Sequence, residues 1–407
     1  MQKMQSPVSD HKRSIRQYAT VTVSYWLFTI TDGALRMLMV LHFYNLGFNP
    51  LQIAFLFLFY EAFGIVTNLF GGYIGSRVGL NRLMNIGMLL QICALAMLTV
   101  PEPMLLVGWV MAAQALSGIA KDFNKMSAKS AVKSLVPQGA DSTLFKWVAF
   151  LTGSKNTLKG AGFFVGAALL SIVGFRNAVL VLIILIVTAL LINLIFLESS
   201  LGKSSAKNKF SQIFSRSSQI NWLSAARLFL FSSRDVWFVV GLPVYFASSL
   251  QWSHWKTGTF MAIWVILYGG IQALAPYIVG RGDKKIVDGR SATFWSALLL
   301  MVTAAVAIAT GINLEPHLSL IPSLFLFGAV FAINSSLHSY LIVHYAERDS
   351  TSIDVGFYYM ANASGRLLGT LLSGLLTLYA SLAGCLIGAC VLIALSLMCS
   401  LKLPKCE

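Results

Sequence analysis

Charge is scarce in this sequence. Of its 407 residues only 11% are charged, and the 15 acids are outnumbered by 30 bases. Soluble domains carry about 25% charged residues, so a water-solvated fold of this length is excluded. Cysteine is sparse as well: Cys93, Cys385, Cys390, Cys399 and Cys406 form no CxxC, and four of them fall in the last 23 residues. That spacing offers neither a disulfide framework nor a soft-metal site. There is no HExxH, no metal-spaced cluster of His and Asp and no phosphate-binding glycine loop. An enzyme is therefore not expected, and neither is a metal or a cofactor. The first 19 residues, MQKMQSPVSDHKRSIRQYA, contain no apolar run of signal-peptide length, so the N-terminus is expected to stay in the cytosol.

What is present is apolar. Hydrophobic residues make up 57% of the chain, and the mean hydropathy is +0.74. Spans of roughly 20–25 residues fit about twelve times into this length, and hydropathy places them near 20–45, 51–75, 83–100, 104–122, 145–174, 178–197, 222–249, 257–280, 291–311, 320–344, 356–380 and 383–401. Loop bases such as Lys3, Arg13, Arg77, Arg82, Lys203, Lys209, Arg281, Lys285, Arg348 and Lys405 fall on one side, and only Arg176 and Lys256 on the other. By the positive-inside rule both termini and a basic linker at 199–220 are cytosolic. The net charge of +15 thus reads as membrane orientation and not as nucleic-acid binding.

The two halves, 1–198 and 221–407, are related. Leu46–Arg77 set against Leu250–Arg281 without gaps matches Leu46/Leu250, Tyr73/Tyr277, Ile74/Ile278 and Arg77/Arg281, with Phe48 opposite Trp252. Asp32 and Asp235 recur nearly in phase. The expectation is an all-α membrane protein of twelve transmembrane helices in two six-helix pseudo-repeats, with a small-molecule site between them.

Lys121, Lys125, Lys129 and Lys133 recur every fourth residue, and Lys155 and Lys159 repeat that spacing. On a helix they form one stripe whose like charges repel, so an anion is expected to compensate them. The lower rungs suit an electrostatic funnel at a cytosolic mouth, while Lys129 and Lys133 equally suit anchoring against anionic headgroups. Ionisable residues at bilayer depth are functional candidates by default: Asp32, Arg36, Glu61, Lys155, Lys159, Arg234, Asp235 and Arg366, with Lys121 and Arg227 nearer the cytosolic ends. Asp32 and Arg36, at i,i+4, can pair within one helix. Arg234 and Asp235 are adjacent and point about 100° apart, so Asp235 is expected to pair across helices while Arg234 faces the cavity. Asp32 or Glu61 is also within reach of Lys155 or Lys159 from another helix. The bases outnumber the acids, which favours an anionic substrate.

Asn362, Ser364, His338 and the polar tenth span (Asn334, Ser335, Ser336, Ser339, Tyr340, His344) supply neutral donors, or else line a wet helix interface. His338 and Glu61 are candidate proton carriers. Tyr25, Trp26, Trp147, Trp237 and Trp255 read as interfacial belt or packing. Gly153, Gly160, Gly162, Gly166, Gly365, Gly369 and Gly374 read as packing faces on which the halves rock.

The stretch GYIGSRVGLNR at 72–82 resembles the GxxxDRxGR loop of the major facilitator superfamily, with an echo at Gly280-Arg281-Gly282-Asp283. The resemblance makes Gly72, Gly75, Arg77, Gly79 and Arg82 gating residues, although Ser76 stands at the family's acidic position. TITDGALRMLMVLHFYNLGFNPLQIAFLFLFYE, AAQALSGIAKDFNKMSAKSAVKSLVP and LTGSKNTLKGAGFFVG resemble the organoarsenical efflux permeases (ArsJ) of bacterial arsenic operons. That resemblance implies a monomeric exporter of 1-arseno-3-phosphoglycerate in a bacterial inner membrane, with a glyceraldehyde-3-phosphate dehydrogenase as its metabolic partner. Arg36, Lys121, Lys155, Lys159, Arg234, Arg366, Asn362 and His338 are then the candidate substrate contacts, and Asp32, Glu61 and Asp235 their charge partners. A proton-coupled multidrug or sugar-phosphate permease is the competing expectation, and a membrane-embedded enzyme or receptor a more distant one.

Overall fold

In the computed structural model the described residues are 7–47, 56–137, 139–198, 217–252, 254–280, 287–312, 319–347 and 350–404, and they are helical almost throughout, with no strand among them. The linker bases at 203–216, the Arg281-Gly282-Asp283 echo, Phe48, Lys3, Arg348 and Lys405 lie outside the described residues.

Helices α1 (Pro7–Asn45), α2 (Leu58–Val78), α3 (Leu80–Met97) and α4 (Val107–Leu135) come first. They are followed by α5 (Asp141–Phe196), α6 (Ser218–Phe238), α7 (Gly241–Ser248), α8 (His254–Val279), α9 (Gly289–Gly311), α10 (Leu320–Tyr345) and α11 (Thr351–Ser400). Two of these are each two spans joined by one non-helical residue, Gly174 in α5 and Ser381 in α11. With α6 and α7 taken together, the described helices make up the twelve spans. Seven are long and apolar enough to cross a membrane by length and composition alone. The helices α1, α2 and α4, which carry Asp32, Arg36, Glu61 and the lysine ladder, are not among those seven.

The break between α6 and α7 follows from Pro243, which lacks the N–H that a continuous helix requires. The Ser373 hydroxyl accepts from the N–H groups of Val240 and Gly241 at 3.1 and 3.3 Å, satisfying donors left over at the break.

The chain divides into two compact units. The first comprises Met1–Trp147, Leu158–Phe214 and Ala346–Gly356. In it α1 begins at Pro7, a residue suited to a helix's first turn. Its start is tied to the end of α5: Arg13 pairs with Glu198 at 2.6 Å, and Gln17 donates to the Phe196 carbonyl at 2.9 Å. The hydrogen bonds from Arg13 hold the Glu198 carboxyl below its usual range. Tyr18 stacks on Trp147, centroids 4.2 Å apart.

The second unit comprises Val148–Thr157, Ser215–Tyr345 and Phe357–Glu407. Its core is aromatic, with fully buried Trp237 edge-on to Phe327 at 5.0 Å and to Trp264 at 6.1 Å. Trp237 is therefore packing and not interfacial belt.

Of the glycines expected to form sliding faces between halves, Gly153 meets Gly269 and Ala273 of α8 backbone to backbone, whereas Gly162, Gly166, Gly365 and Gly369 join helices of the same half. A Cβ on Gly162 would stand 2.6 Å from the Ile30 carbonyl and 3.1 Å from the Gly33 Cα, so α5 approaches α1 backbone to backbone. Gly365 lies in the same way against Leu228, and Gly369 against Ser232, both on α6. Gly374 has open space beside it. Asp32 and Asp235, and likewise Gly162 and Gly365, are 203 residues apart, so each unit repeats one joint between its first and fifth spans.

The 72–82 stretch is not a loop. Gly72, Gly75 and Arg77 are in α2, Arg82 is in the first turn of α3, and only Gly79 separates the helices, at φ 97° and ψ 148°. A side chain there would be strained, which explains why the turn needs glycine. Gly72 and Gly75 pack against Ser352 at the start of α11, and Ser76 donates to its own helix at the Tyr73 carbonyl, 2.8 Å. Arg77 and Arg82 are exposed.

Candidate functional site: a buried charge cluster in each unit

In the first unit α1, α2, α4 and α5 bring Asp32, Tyr60, Lys121 and Lys159 together. Asp32 accepts the Tyr60 hydroxyl through Oδ1 and the Lys159 ammonium, at 2.8 Å, through Oδ2. Lys121 lies over the Tyr60 ring, 3.8 Å from its centroid, and attracts the same carboxylate. Two ammonium groups therefore flank one acid, and of the two Lys159 is the one in ion-pair contact with it. Arg36 does not pair with Asp32 as its i,i+4 spacing allowed; it reaches Glu61 on α2 at 3.1 Å and sits over the Phe57 and Tyr60 rings at 5.1 and 5.2 Å. Both acids thus find partners across helices, where a second helix adds ring contacts that a local pair would lack.

The lysine ladder departs from the open stripe expected of it. Lys125 pairs at 2.6 Å with Asp122, a buried carboxylate one turn away that the sequence reading passed over. Lys129 is 3% exposed, so it neither lines a funnel nor meets headgroups. Lys155 is half-buried on α5, one turn before Lys159.

In the second unit the centre is Asp235. Adjacent Arg234 turns back onto it at 2.6 Å, contrary to the expectation that neighbouring positions would keep them apart, because a guanidinium on a long stem spans the 100° between them. Arg366 reaches the other oxygen at 3.5 Å. Asn362 lies here too, accepting from Arg227 Nε at 2.9 Å.

Arg227 was named at the cytosolic margin but left out of the candidate contacts. It is buried, and its Nη1 donates to the Ser335 carbonyl and hydroxyl, both at 3.0 Å. Its guanidinium lies 3.9 Å from the Phe231 ring centroid, with Arg234 at 4.8 Å from the same ring. The spacing 227, 231, 234 is i, i+4, i+7, one helix face, which is the signal that could have found it.

The polar face of α10 closes this cluster. Asn334, Ser335, Ser336, His338 and Ser339 are all fully buried. Gln272 donates to Ser335 at 3.0 Å, and Asn334 donates to Ser296 at 2.9 Å. Neither ring nitrogen of His338 has a hydrogen-bond partner among the described residues, although the ring lies in the field of Arg227.

Each half thus carries charge on its first and fifth spans. The family model of the Major Facilitator Superfamily matches residues 21–370. The chain belongs to the major facilitator superfamily. Solved members of the same fold include the human organic anion transporter MFSD10 (TETRAN), 16% identical over 97% of this chain and 100% of that one, TM-score 0.74. FucP in the outward conformation is 9% identical over 95% and 98%, TM-score 0.76. An outward-facing bacterial homologue of the iron transporter ferroportin is 15% identical over 95% and 98%, TM-score 0.75. At these identities the likeness is one of fold. No curated protein matches the sequence. As a superfamily member the chain is a multi-pass membrane transporter of small organic substrates, not an enzyme.

Proposed function

We propose that this transporter exports an organic anion, 1-arseno-3-phosphoglycerate, and so confers resistance to arsenate. The observation that carries the reading is the gathering of two bases about one carboxylate in each unit: Lys159 pairs with Asp32 while Lys121 lies over the Tyr60 ring bonded to the same acid, and Arg234 and Arg366 both pair with Asp235. Partly buried cations in excess of their acids are unfavourable unless an anion completes them. Lysine as a point charge and arginine as a planar fork both suit the recognition of oxyanions. The N-terminal resemblance supplies the identity of that molecule, and the ligand class named for the human organic anion transporter has the same sign. The setting is a bacterial inner membrane with both termini cytosolic, where a glyceraldehyde-3-phosphate dehydrogenase acting with arsenate makes the ester and this chain, as a monomer, expels it by alternating access.

The fully buried hydroxyl and amide face of α10 favours a second reading on the same fold, a sugar-phosphate permease. The test is co-expression with a glyceraldehyde-3-phosphate dehydrogenase in an arsenic-sensitive cell. Protection against arsenate that requires both proteins is expected; growth no better than with the dehydrogenase alone rejects the reading.

A further inference from the structure

We infer that Arg227 is the deepest anion-coordinating group of the second unit, and that its ligand is a tetrahedral oxyanion of at least two charges, such as a phosphate monoester. This rests on the reading of the chain as an organic-anion carrier and adds to it a residue and a ligand geometry.

Arg227 differs from its neighbours in what holds it. Arg234 and Arg366 both lean on Asp235, whereas every bond from Arg227 goes to a neutral acceptor: Asn362 Oδ1 from Nε, and the Ser335 carbonyl and hydroxyl from Nη1. No carboxylate stands within ion-pair distance of it among the described residues, and Nη2 donates to none of them. A guanidinium that is 3% exposed is ordinarily paired. Here the neutral acceptors fix its plane and leave one edge unspent, while the Phe231 ring, shared with Arg234, offers both cations its negative face.

Other unspent groups adjoin it. The His338 ring nitrogens are buried without hydrogen-bond partners among the described residues, and Arg227 lies 5.2 Å from the Tyr358 ring centroid. Side-chain exposure falls from 36% at Arg366 to 16% at Arg234, and Arg227 is nearly enclosed. An arriving anion therefore meets a guanidinium already shared with Asp235 first and the uncompensated one last. The flat fork of arginine matches two oxygens of a tetrahedral group, and the unpartnered imidazole of His338 suits a remaining one.

The test is ligand-dependent thermal stabilisation of the full-length protein in nanodiscs, titrated with glycerol 3-phosphate, inorganic phosphate or chloride. Wild type is expected to be stabilised by glycerol 3-phosphate and not by chloride. Arg227→Lys keeps the charge but loses the fork, and is expected to weaken that binding at least tenfold. Asn362→Asp sets a carboxylate against Nε; it is expected to unfold no earlier than wild type without ligand, yet to bind at least tenfold more weakly. If Arg227→Lys does not fold, Asn362→Asp carries the test alone. Both variants binding within twofold of wild type would overturn the role of Arg227 while leaving the carrier reading intact. Equal stabilisation by chloride would overturn the oxyanion geometry, and a wild type indifferent to both phosphates would remove the carrier reading together with this one.

Discussion

Asp32 accepts from Tyr60 through one oxygen and from Lys159 through the other, so neutralising it leaves buried ammonium groups with no acid to share. Asp32→Asn is expected to destabilise the protein by about 3 kcal/mol, the usual cost of stranding one partner of a buried pair. Asp32→Asn combined with Lys159→Gln should recover most of that loss. Additive losses in reversible unfolding of the four proteins would show that the pair is not coupled. Most of the ionisable residues, though not Asp122, which pairs with Lys125, were legible in the sequence, since bilayer depth singles them out. Their pairing was only partly so. Spacing says that Asp32 can meet Arg36 or that Arg234 differs in direction from Asp235; it cannot rank a local partner against Lys159, 127 residues away. Arg227 lies near a span's end in the sequence, and only its neutral hydrogen-bond partners reveal how deeply it is held.

Among the elements, the joint between α1 and α5 depends on an absent side chain. Gly162→Leu must push the helices apart where a Cβ alone would stand 2.6 Å from the Ile30 carbonyl. Overpacking of this kind typically costs about 1–3 kcal/mol, and the separation should also loosen Lys159 from Asp32, one turn away. The expected outcome is a lower melting temperature than that of Gly374→Leu, at an exposed position on α11 with open space beside it; equal stability of the two would refute the close packing. Span boundaries were well marked by hydropathy, with predicted span ends near Gly174 and Ser381 coinciding with the two bends. The break at 239–240 was not, because Pro243 within an apolar run reads as tolerable until Ser373 is seen satisfying the freed N–H groups. The turn at Gly79 was mistaken for a longer loop because its flanking glycines, which serve helix packing, look like turn residues in one dimension.

For the molecule as a whole, the asymmetry of basic residues sets orientation. A cytosol-active reporter fused to the C-terminus is expected to function and a periplasm-active one to stay silent; the reverse result would invert every assignment of inside and outside. The repeat of a buried acid on the first span and a base on the fifth was visible in sequence only as Asp32 and Asp235 nearly in phase. Its meaning came from the joints, where Gly162 and Gly365 occupy equivalent places.

One consequence concerns biogenesis. Because Asp32 and its ammonium partner are separated by 127 residues, a ribosome making 5–20 residues per second would leave the acid waiting roughly 6–25 s for its counterpart. During that interval the first helix cannot simply dissolve into lipid. It must linger at the translocon or beside an insertion chaperone until the fifth emerges, so the nascent N-terminal bundle is assembled late, as a set, and not one rod at a time.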